Sequence, residues 1–169
     1  MDKIIIHIPK TGGTTLISNL LGINRQISAN FKYRHIINGK SNAGDIFEPK
    51  NVEKYKQFAI IMFIRDPFER AISEYNFVKS IDDAFLSDFQ TEPANFQEYI
   101  ENPLTHNSML NFLIGGKLYA KNDEKEMEEK LRDVCECIKQ LHFVICRTED
   151  YNTSLNFLTS YFKIPENIN

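Results

Sequence analysis

The sequence predicts a three-layer α/β domain, in which helices flank a central and mainly parallel β-sheet. Segments with strand patterns alternate with segments with helix patterns along the chain. Two of the strand segments are continuous apolar runs, as in parallel strands that are buried on both faces. The 169 residues, of which 42% are hydrophobic, suit one domain over residues 1–169 with a core of its own.

The strand signals are clearest in the first half of the chain. The first strand is predicted over residues 3–8, which are rich in β-branched isoleucine. A glycine turn at 9–13 and a helix over 14–21 follow, whereas 27–37 is ambiguous and fits a short strand and a loop. The strongest strand covers residues 58–64, which are apolar at every position.

The helix after the strongest strand has a complete start signal. Asp66 is a good N-cap, Pro67 suits the first helical position, and Glu69 would complete a capping box. This helix is predicted to end near Lys79. The remaining predictions are loops at 39–44 and 82–92, helices over 94–101 and 105–114, a long helix capped by Asp123, a strand at 143–146 and a helix over 150–161. One face of the long helix is predicted to be buried through Met127, Leu131, Val134, Cys135 and Ile138.

Composition argues against several classes of function. The net charge is −3, so no basic field favours a nucleic acid partner, and an anionic ligand would need a local cationic pocket. Cys135, Cys137 and Cys146 form neither a disulfide framework nor a zinc-site spacing. No stretch approaches the roughly 20 apolar residues that span a bilayer, and the apolar run at 4–8 is too short for a signal peptide. We therefore expect a cytoplasmic enzyme that needs no metal.

A loop suited to anions lies between the first predicted strand and helix. Its glycines let backbone amides turn toward a ligand, and the helix start adds unpaired N–H groups and the positive dipole end. The residues that would bind the anion are Lys10, Thr11, Gly12, Gly13, Thr14 and Thr15. In a Walker loop the lysine follows the last glycine, whereas here it precedes both glycines. The start of the chain is therefore P-loop-like without being a Walker loop.

A second candidate site follows the strongest strand. Arg65 lies at the carboxyl end of that strand, where open α/β sheets bind their ligands. Ser73 lies about two turns into the next helix and can face the same crevice. A guanidinium and a hydroxyl that converge there suit a terminal phosphate. Arg70 has a simpler interpretation, an ion pair with Glu74 or Asp66 on its own helix.

With these two motifs, the chain resembles sulfotransferases that use 3′-phosphoadenosine 5′-phosphosulfate (PAPS), and specifically the carbohydrate group that includes the heparan sulfate 2-O- and 6-O-sulfotransferases. Residues 7–15 are similar to the family's 5′-phosphosulfate loop, and residues 65–75 to its 3′-phosphate motif. Weaker similarity extends over 106–116 and over 144–158, which contains a threonine–glutamate pair. Family members are usually longer, which leaves the acceptor less defined than the donor.

The resemblance implies O-sulfation with PAPS as donor and 3′-phosphoadenosine 5′-phosphate (PAP) as product. Residues 10–15 would hold the phosphosulfate, and Arg65 and Ser73 the 3′-phosphate. Lys10 would also support the phosphate leaving group. The acceptor would be a hydroxyl group of a saccharide or glycoconjugate, although a lipid-linked sugar or a small alcohol stays open.

The acceptor hydroxyl needs a base, and His35 is the first candidate. It follows the first predicted helix by about the interval at which related enzymes carry a catalytic histidine, and an ordinary imidazole, which titrates at about pH 6.5, suits proton transfer at neutral pH. His106 is the second candidate. His7, within the first strand, and His142, at a strand edge, are expected to be structural.

Two other interpretations stay open. A P-loop-type nucleotide or small-molecule kinase shares the strand–loop–helix start and predicts magnesium-dependent ATP binding, although the Walker order is missing. A non-catalytic module would bind an adenosine bisphosphate through Lys10, Arg65 and Ser73 without turnover. Transfer of labelled sulfate from PAPS to a panel of acceptors separates these interpretations.

Overall fold

The computed structural model describes residues 2–12, 31–34, 36–37, 40–80, 93–117, 121 and 123–162. The strands in these ranges are β1 (Asp2–Ile6), β2 (Phe31–Arg34), β3 (Ile36–Ile37), β4 (Lys40–Ser41), β5 (Phe58–Ile64) and β6 (His142–Arg147). Four of them form a parallel sheet in the order β2-β1-β5-β6, and β3 and β4 form a short antiparallel pair.

The helices of the described ranges lie mostly between β5 and the carboxyl end. They are α1 (Val52–Tyr55), α2 (Pro67–Val78), α3 (Phe96–Glu101), α4 (Ser108–Leu113), α5 (Glu124–Gln140) and α6 (Tyr151–Tyr161), with 3₁₀ helices at Gly44–Phe47, Pro49–Asn51 and Pro103–Thr105. Among the described residues, none of these helices has the length and apolar character needed to cross a bilayer.

Helices cover both faces of the parallel sheet. Alternate side chains of a strand point to opposite faces, and both faces of β1 and β5 are buried. On one face, the strand residues Ile4, Ile6, Ile60 and Met62 share an apolar cluster with Val134 and Cys137 of α5. On the other face, Ile5, Ile61 and Phe63 share a cluster with Leu158 of α6. This confirms the predicted three-layer α/β fold.

The start of α2 differs from the prediction in one respect. The carboxylate of Asp66 caps the helix, accepting hydrogen bonds from the N–H groups of Phe68 and Glu69 at 3.0 Å each. The second half of the capping box is wrong, because Glu69 pairs with Arg65 at 3.6 Å. The N–H of Asp66 donates instead to the carboxylate of Glu149, at 2.7 Å. A residue that follows β6 thus completes the start of α2.

The buried face of α5 differs from the predicted one. Met127 and Val134 are buried as predicted, but Cys135 is exposed and Leu131 is 49% exposed. Cys137 is fully buried in place of Cys135. Both residues fit the helical period, because they lie on opposite edges of the strip centred on Val134. Periodicity alone does not decide which edge faces the sheet.

Gly44 and Gly115 bring two backbone segments into direct contact. Gly44 ends the stretch 39–44, which was predicted only as a loop and includes β4, and Gly115 follows α4. A Cβ atom at Gly44 would lie 2.6 Å from the Cα atom of Gly115. We expect Gly44→Ala to lower the free energy of unfolding by about 1 to 3 kcal/mol, measured by denaturant titration. Gly116→Ala is the matched control, since its added Cβ would meet nothing closer than 3.2 Å. An equal loss in both variants would contradict the close-approach argument.

Candidate active site

The two motifs meet at the carboxyl edge of the parallel sheet. β1 and β5 are neighbouring parallel strands, with Ile6 in register with Met62. The residues that follow them therefore leave the sheet side by side. Residues 9–12, here named the first loop, follow β1 and the buried residues 7–8, and Arg65 follows β5 directly. This is the edge at which open α/β sheets bind ligands.

Side chains from other elements hold three successive carbonyl groups of the first loop. The hydrogen bonds run from Arg70 Nε to Pro9 at 3.1 Å, from Arg65 to Lys10 at 3.5 Å and from Thr148 Oγ1 to Thr11 at 2.8 Å. Across a trans peptide, the N–H and C=O groups point in opposite directions. The N–H group that follows each of these carbonyls is therefore turned away from the side chain that holds it.

The backbone of the first loop has the shape of an anion site. Lys10 and Gly12 have positive φ angles of 65° and 78°, whereas Thr11 between them does not. Such alternation is typical of a concave nest of N–H groups that favours anions. The middle N–H, that of Thr11, donates to the carbonyl of Ile8 at 3.4 Å, which leaves those of Lys10 and Gly12 for an anion. Glycine adopts this conformation freely, but for a lysine it is uncommon, so the surrounding contacts must stabilise it.

The side chain of Lys10 supplies the full positive charge of the first loop. Its ammonium group lies over the ring of Phe77 in α2, 4.3 Å from the ring centroid. Burial lowers the pKa of Lys10 below its ordinary value. The carboxylate of Glu74 opposes this shift in pKa, whereas Arg65 and Arg70 add to it. A bound anion would favour the charged form of this lysine.

Arg65 lies just before the start of α2, and Ser73 lies on one side of this helix. The side chain of Arg65 is 25% exposed, and its ion pair with exposed Glu69 is loose at 3.6 Å. Ser73, which is half-buried, follows Glu69 by four residues and therefore lies on the same side of the helix. A phosphate that displaces Glu69 from Arg65 would approach Ser73 from the same side.

Arg70 forms the predicted ion pair with Glu74. Its two terminal nitrogens lie 2.8 and 2.9 Å from the two carboxylate oxygens, and the residues are only 4% and 2% exposed. The guanidinium also donates to the hydroxyl of Ser108 at 2.7 Å. One buried cation therefore joins α2, α4 and the first loop.

Thr148 connects both motifs from the end of β6. Its hydroxyl lies 2.8 Å from the carbonyl oxygen of Thr11 and 3.0 Å from that of Ile64. A Cβ atom added to Gly12 would meet Thr148 at 3.5 Å, so the two segments also pack closely. The N–H of Asp66 keeps the pKa of the adjacent Glu149 below its ordinary value.

The chain matches one protein family along nearly its whole length. The model of the sulfotransferase family matches residues 3–169. The chain belongs to the sulfotransferase family. No curated protein sequence gave a significant match. The family transfers sulfuryl groups to hydroxyl-bearing acceptors, and an anion nest flanked by cations suits such a transferase.

Four residues that the sequence assigns to the site of this sulfotransferase lie outside the described residues: Gly13, Thr14, Thr15 and His35. Their roles stay predictions. His35 directly follows β2, whose last carbonyl, that of Arg34, accepts a hydrogen bond from the N–H of His7 at 2.9 Å. His7 itself is buried, in line with a structural role.

The alternative base, His106, is an exposed residue just before α4. It borders a cleft of about 440 Å³ between α2, α3 and α4. Its Nε2 atom is 3.0 Å from the carbonyl oxygen of Ile100, which engages one ring nitrogen in the fold of the protein.

Sequence reasoning missed three side chains that contact the two motifs: Phe77, Ser108 and Thr148. The resemblance of residues 144–158 to a family segment was the available signal for Thr148. Ser108 gave no local signal, because its partner Arg70 is 38 positions away. In its local sequence, Phe77 is an ordinary apolar residue of a helix. Its contact with the Lys10 ammonium depends on the three-dimensional structure.

Proposed function

We propose that this sulfotransferase moves the sulfuryl group of PAPS to a hydroxyl group of a carbohydrate. The observation that carries the proposal is the contact between the two motifs, in which an N–H of Arg65 lies 3.5 Å from the carbonyl oxygen of Lys10. The guanidinium of Arg65 thus lies against the first loop, and its charge helps to lower the pKa of Lys10. A nucleotide with anionic groups on both its 5′ and 3′ positions requires such an arrangement.

The first loop would bind the 5′ end of the donor. The N–H groups of Lys10 and Gly12, together with the ammonium of Lys10, are suited to the phosphosulfate oxygens. Thr11, predicted to bind the same group, is fully buried, and its N–H and hydroxyl donate instead to the carbonyl of Ile8, at 3.4 and 2.8 Å. Gly13, Thr14 and Thr15 would extend this site into the following segment. Arg65 and Ser73 would bind the 3′-phosphate, which the guanidinium can contact through two parallel hydrogen bonds.

The reaction is an in-line displacement, for which PAPS supplies a sulfuryl group on a phosphate leaving group. His35 accepts the proton of the acceptor hydroxyl as its oxygen forms a bond to sulfur. The bond from sulfur to the 5′-phosphate breaks, and Lys10 stabilises the charge that develops on the bridging oxygen. The products are a sulfate ester, PAP and a proton on the histidine.

A polar cleft at the end of β2 supports a saccharide as the acceptor. Its volume is about 370 Å³, and its lining includes Arg34, Ser41, Asn42, Asp45 and Glu48. The charge of Arg34 is balanced by Asp45, 3.8 Å away. This lining offers both donors and acceptors, which suits neutral sugar hydroxyls better than a strongly anionic glycan. The cleft borders Arg34, the residue directly before His35.

Arg65→Ala is expected to weaken PAP binding on the order of 10- to 100-fold, because charge-assisted hydrogen bonds contribute about 1.5 to 3 kcal/mol. Ser73→Ala removes one neutral donor and is expected to cost about two- to tenfold. Titration calorimetry measures both effects. Binding of 5′-AMP, which lacks the 3′-phosphate, is the internal control and should weaken less than that of PAP, because it loses only the support that Arg65 gives to the Lys10 carbonyl.

Equal affinity of the unaltered protein for PAP and 5′-AMP would remove the 3′-phosphate assignment. Transfer of labelled sulfate from PAPS to a panel of glycans and alcohols tests the reaction itself. Magnesium-dependent ATP binding without sulfate transfer would favour a kinase instead. Tight PAP binding without transfer to any acceptor would favour a non-catalytic module.

A further inference from the structure

We propose that Arg70 is a positioning residue for the donor. It holds the peptide between Pro9 and Lys10 in the orientation that presents the N–H and ammonium groups of Lys10 to the 5′ end of the nucleotide. This inference rests on the proposed function. Arg70 acts through the first loop, because its side chain is only 5% exposed and its contacts are with protein groups.

Three elements converge on the guanidinium of Arg70. It makes four hydrogen bonds, to the Pro9 carbonyl, the Ser108 hydroxyl and both carboxylate oxygens of Glu74. These bonds use four of the five N–H donors of an arginine. The two bonds to Glu74 fix the plane of the group, and the fixed plane sets the direction of the Nε–H bond toward Pro9.

Stability alone is a weak reason to bury this ion pair. Removing two charges from water costs about as much as their attraction returns, and apolar residues of similar volume often replace such a pair without loss. A planar guanidinium contributes something that an apolar pair lacks, a hydrogen bond of fixed direction. Here that bond ends on the peptide directly before Lys10.

The backbone at Lys10 is the place where a fixed direction matters. Its φ of 65° is in the left-handed region, which residues with a Cβ atom rarely adopt. The carbonyls on its two sides are held by Arg70 and Arg65. Without the contact from Arg70, the peptide between Pro9 and Lys10 can rotate, and Lys10 can then adopt a negative φ. That rotation would move the Lys10 N–H out of the nest and its ammonium away from Phe77.

The test separates folding from positioning. Arg70→Met alone removes the two hydrogen bonds that the guanidinium donates to the buried Glu74 carboxylate, so the melting temperature should fall. Combining it with Glu74→Leu gives an apolar pair and should recover the melting temperature. We expect this folded double variant to bind PAP and 5′-AMP about tenfold more weakly, because both nucleotides share the 5′ end. The ratio of the affinities for PAP and 5′-AMP, which reports the contact of Arg65 with the 3′-phosphate, should not change.

A second variant applies if the double variant does not fold. Arg70→Lys retains a positive charge that can pair with Glu74. It lacks the planar guanidinium that donates to Glu74 and to the Pro9 carbonyl at the same time. It should fold and bind both nucleotides more weakly. Arg132→Met, at an exposed position of α5, is the matched control and should leave both affinities unchanged.

Unchanged affinity for both nucleotides in a folded Arg70 variant would overturn the inference. A loss confined to PAP would also overturn it, since Arg70 would then act on the 3′-phosphate. The proposed function fails on a different result, in which the unaltered protein does not prefer PAP to 5′-AMP.

Discussion

Lys10→Ala is expected to lower the rate constant of sulfuryl transfer by on the order of 10²- to 10³-fold. The Lys10 ammonium is the cation that the first loop itself supplies, and its removal leaves the developing charge on the leaving oxygen with less support. Single-turnover transfer of labelled sulfate at saturating PAPS isolates this step from donor binding. A loss that disappears at saturating donor would show that Lys10 serves binding alone.

Lys3→Ala is a close control for this variant. Lys3 lies in β1, the strand before the first loop, and its ammonium also lies over an aromatic ring, 5.2 Å from the centroid of Phe162. It is at the amino end of β1, on the edge of the sheet opposite the first loop. Its replacement should leave transfer unchanged. A similar loss in both variants would point to a general effect of charge or folding.

The pH profile gives a further readout for Lys10. Burial lowers the pKa of this lysine below its ordinary value. Its charge is therefore lost at a lower pH than that of an exposed lysine, and transfer should fall on the alkaline side as the ammonium deprotonates. Lys10→Arg keeps the charge at all accessible pH values, so this alkaline fall should shift upward or vanish in whatever activity remains.

His35→Ala is expected to reduce transfer by on the order of 10²- to 10⁴-fold, the usual contribution of a general base. Donor binding should stay nearly intact, because the base acts on the acceptor hydroxyl. Initial rates of labelled sulfate transfer, combined with calorimetry of PAP, measure the two effects separately. The acid side of the pH profile should lose its dependence on an imidazole in this variant.

His142→Ala provides the comparison for His35. His142 starts β6 at the opposite edge of the sheet, and its Nε2 lies 2.9 Å from the hydroxyl of Tyr161. Its loss should leave turnover unchanged. Full turnover in His35→Ala would end the assignment of His35 as the base. Sulfate transfer by His106→Ala would then test the second candidate.

The sequence predicted the sheet and the helix at the second motif because their signals are local. The apolar run of β5 and the Asp66–Pro67 start of α2 each follow from residues within one turn or strand. The ion pair of Arg70 with Glu74 was predictable for the same reason, as the two residues are four positions apart. Such features depend little on the rest of the chain.

Features set by distant partners were not predictable in this way. The N–H of Asp66 bonds to Glu149 rather than to the nearby Glu69, because β6 brings a better-placed carboxylate to the helix start. The exposure of Cys135 and the burial of Cys137 depend on how α5 is rotated against the sheet. The second role of Arg70, its bond to Pro9, spans 61 positions of the chain.

The hydroxyl of Thr148 bears on when the protein becomes functional during its synthesis. It joins Thr11 across 137 positions and Ile64 across 84. The ribosome synthesises the segment around Thr11 long before it synthesises β6. Contacts between such distant positions form late in folding. A nascent chain that ends before β6 therefore lacks the contacts of Thr148 with Thr11 and Ile64. The proposed nucleotide binding should therefore emerge only after β6 has left the ribosome and joined the sheet.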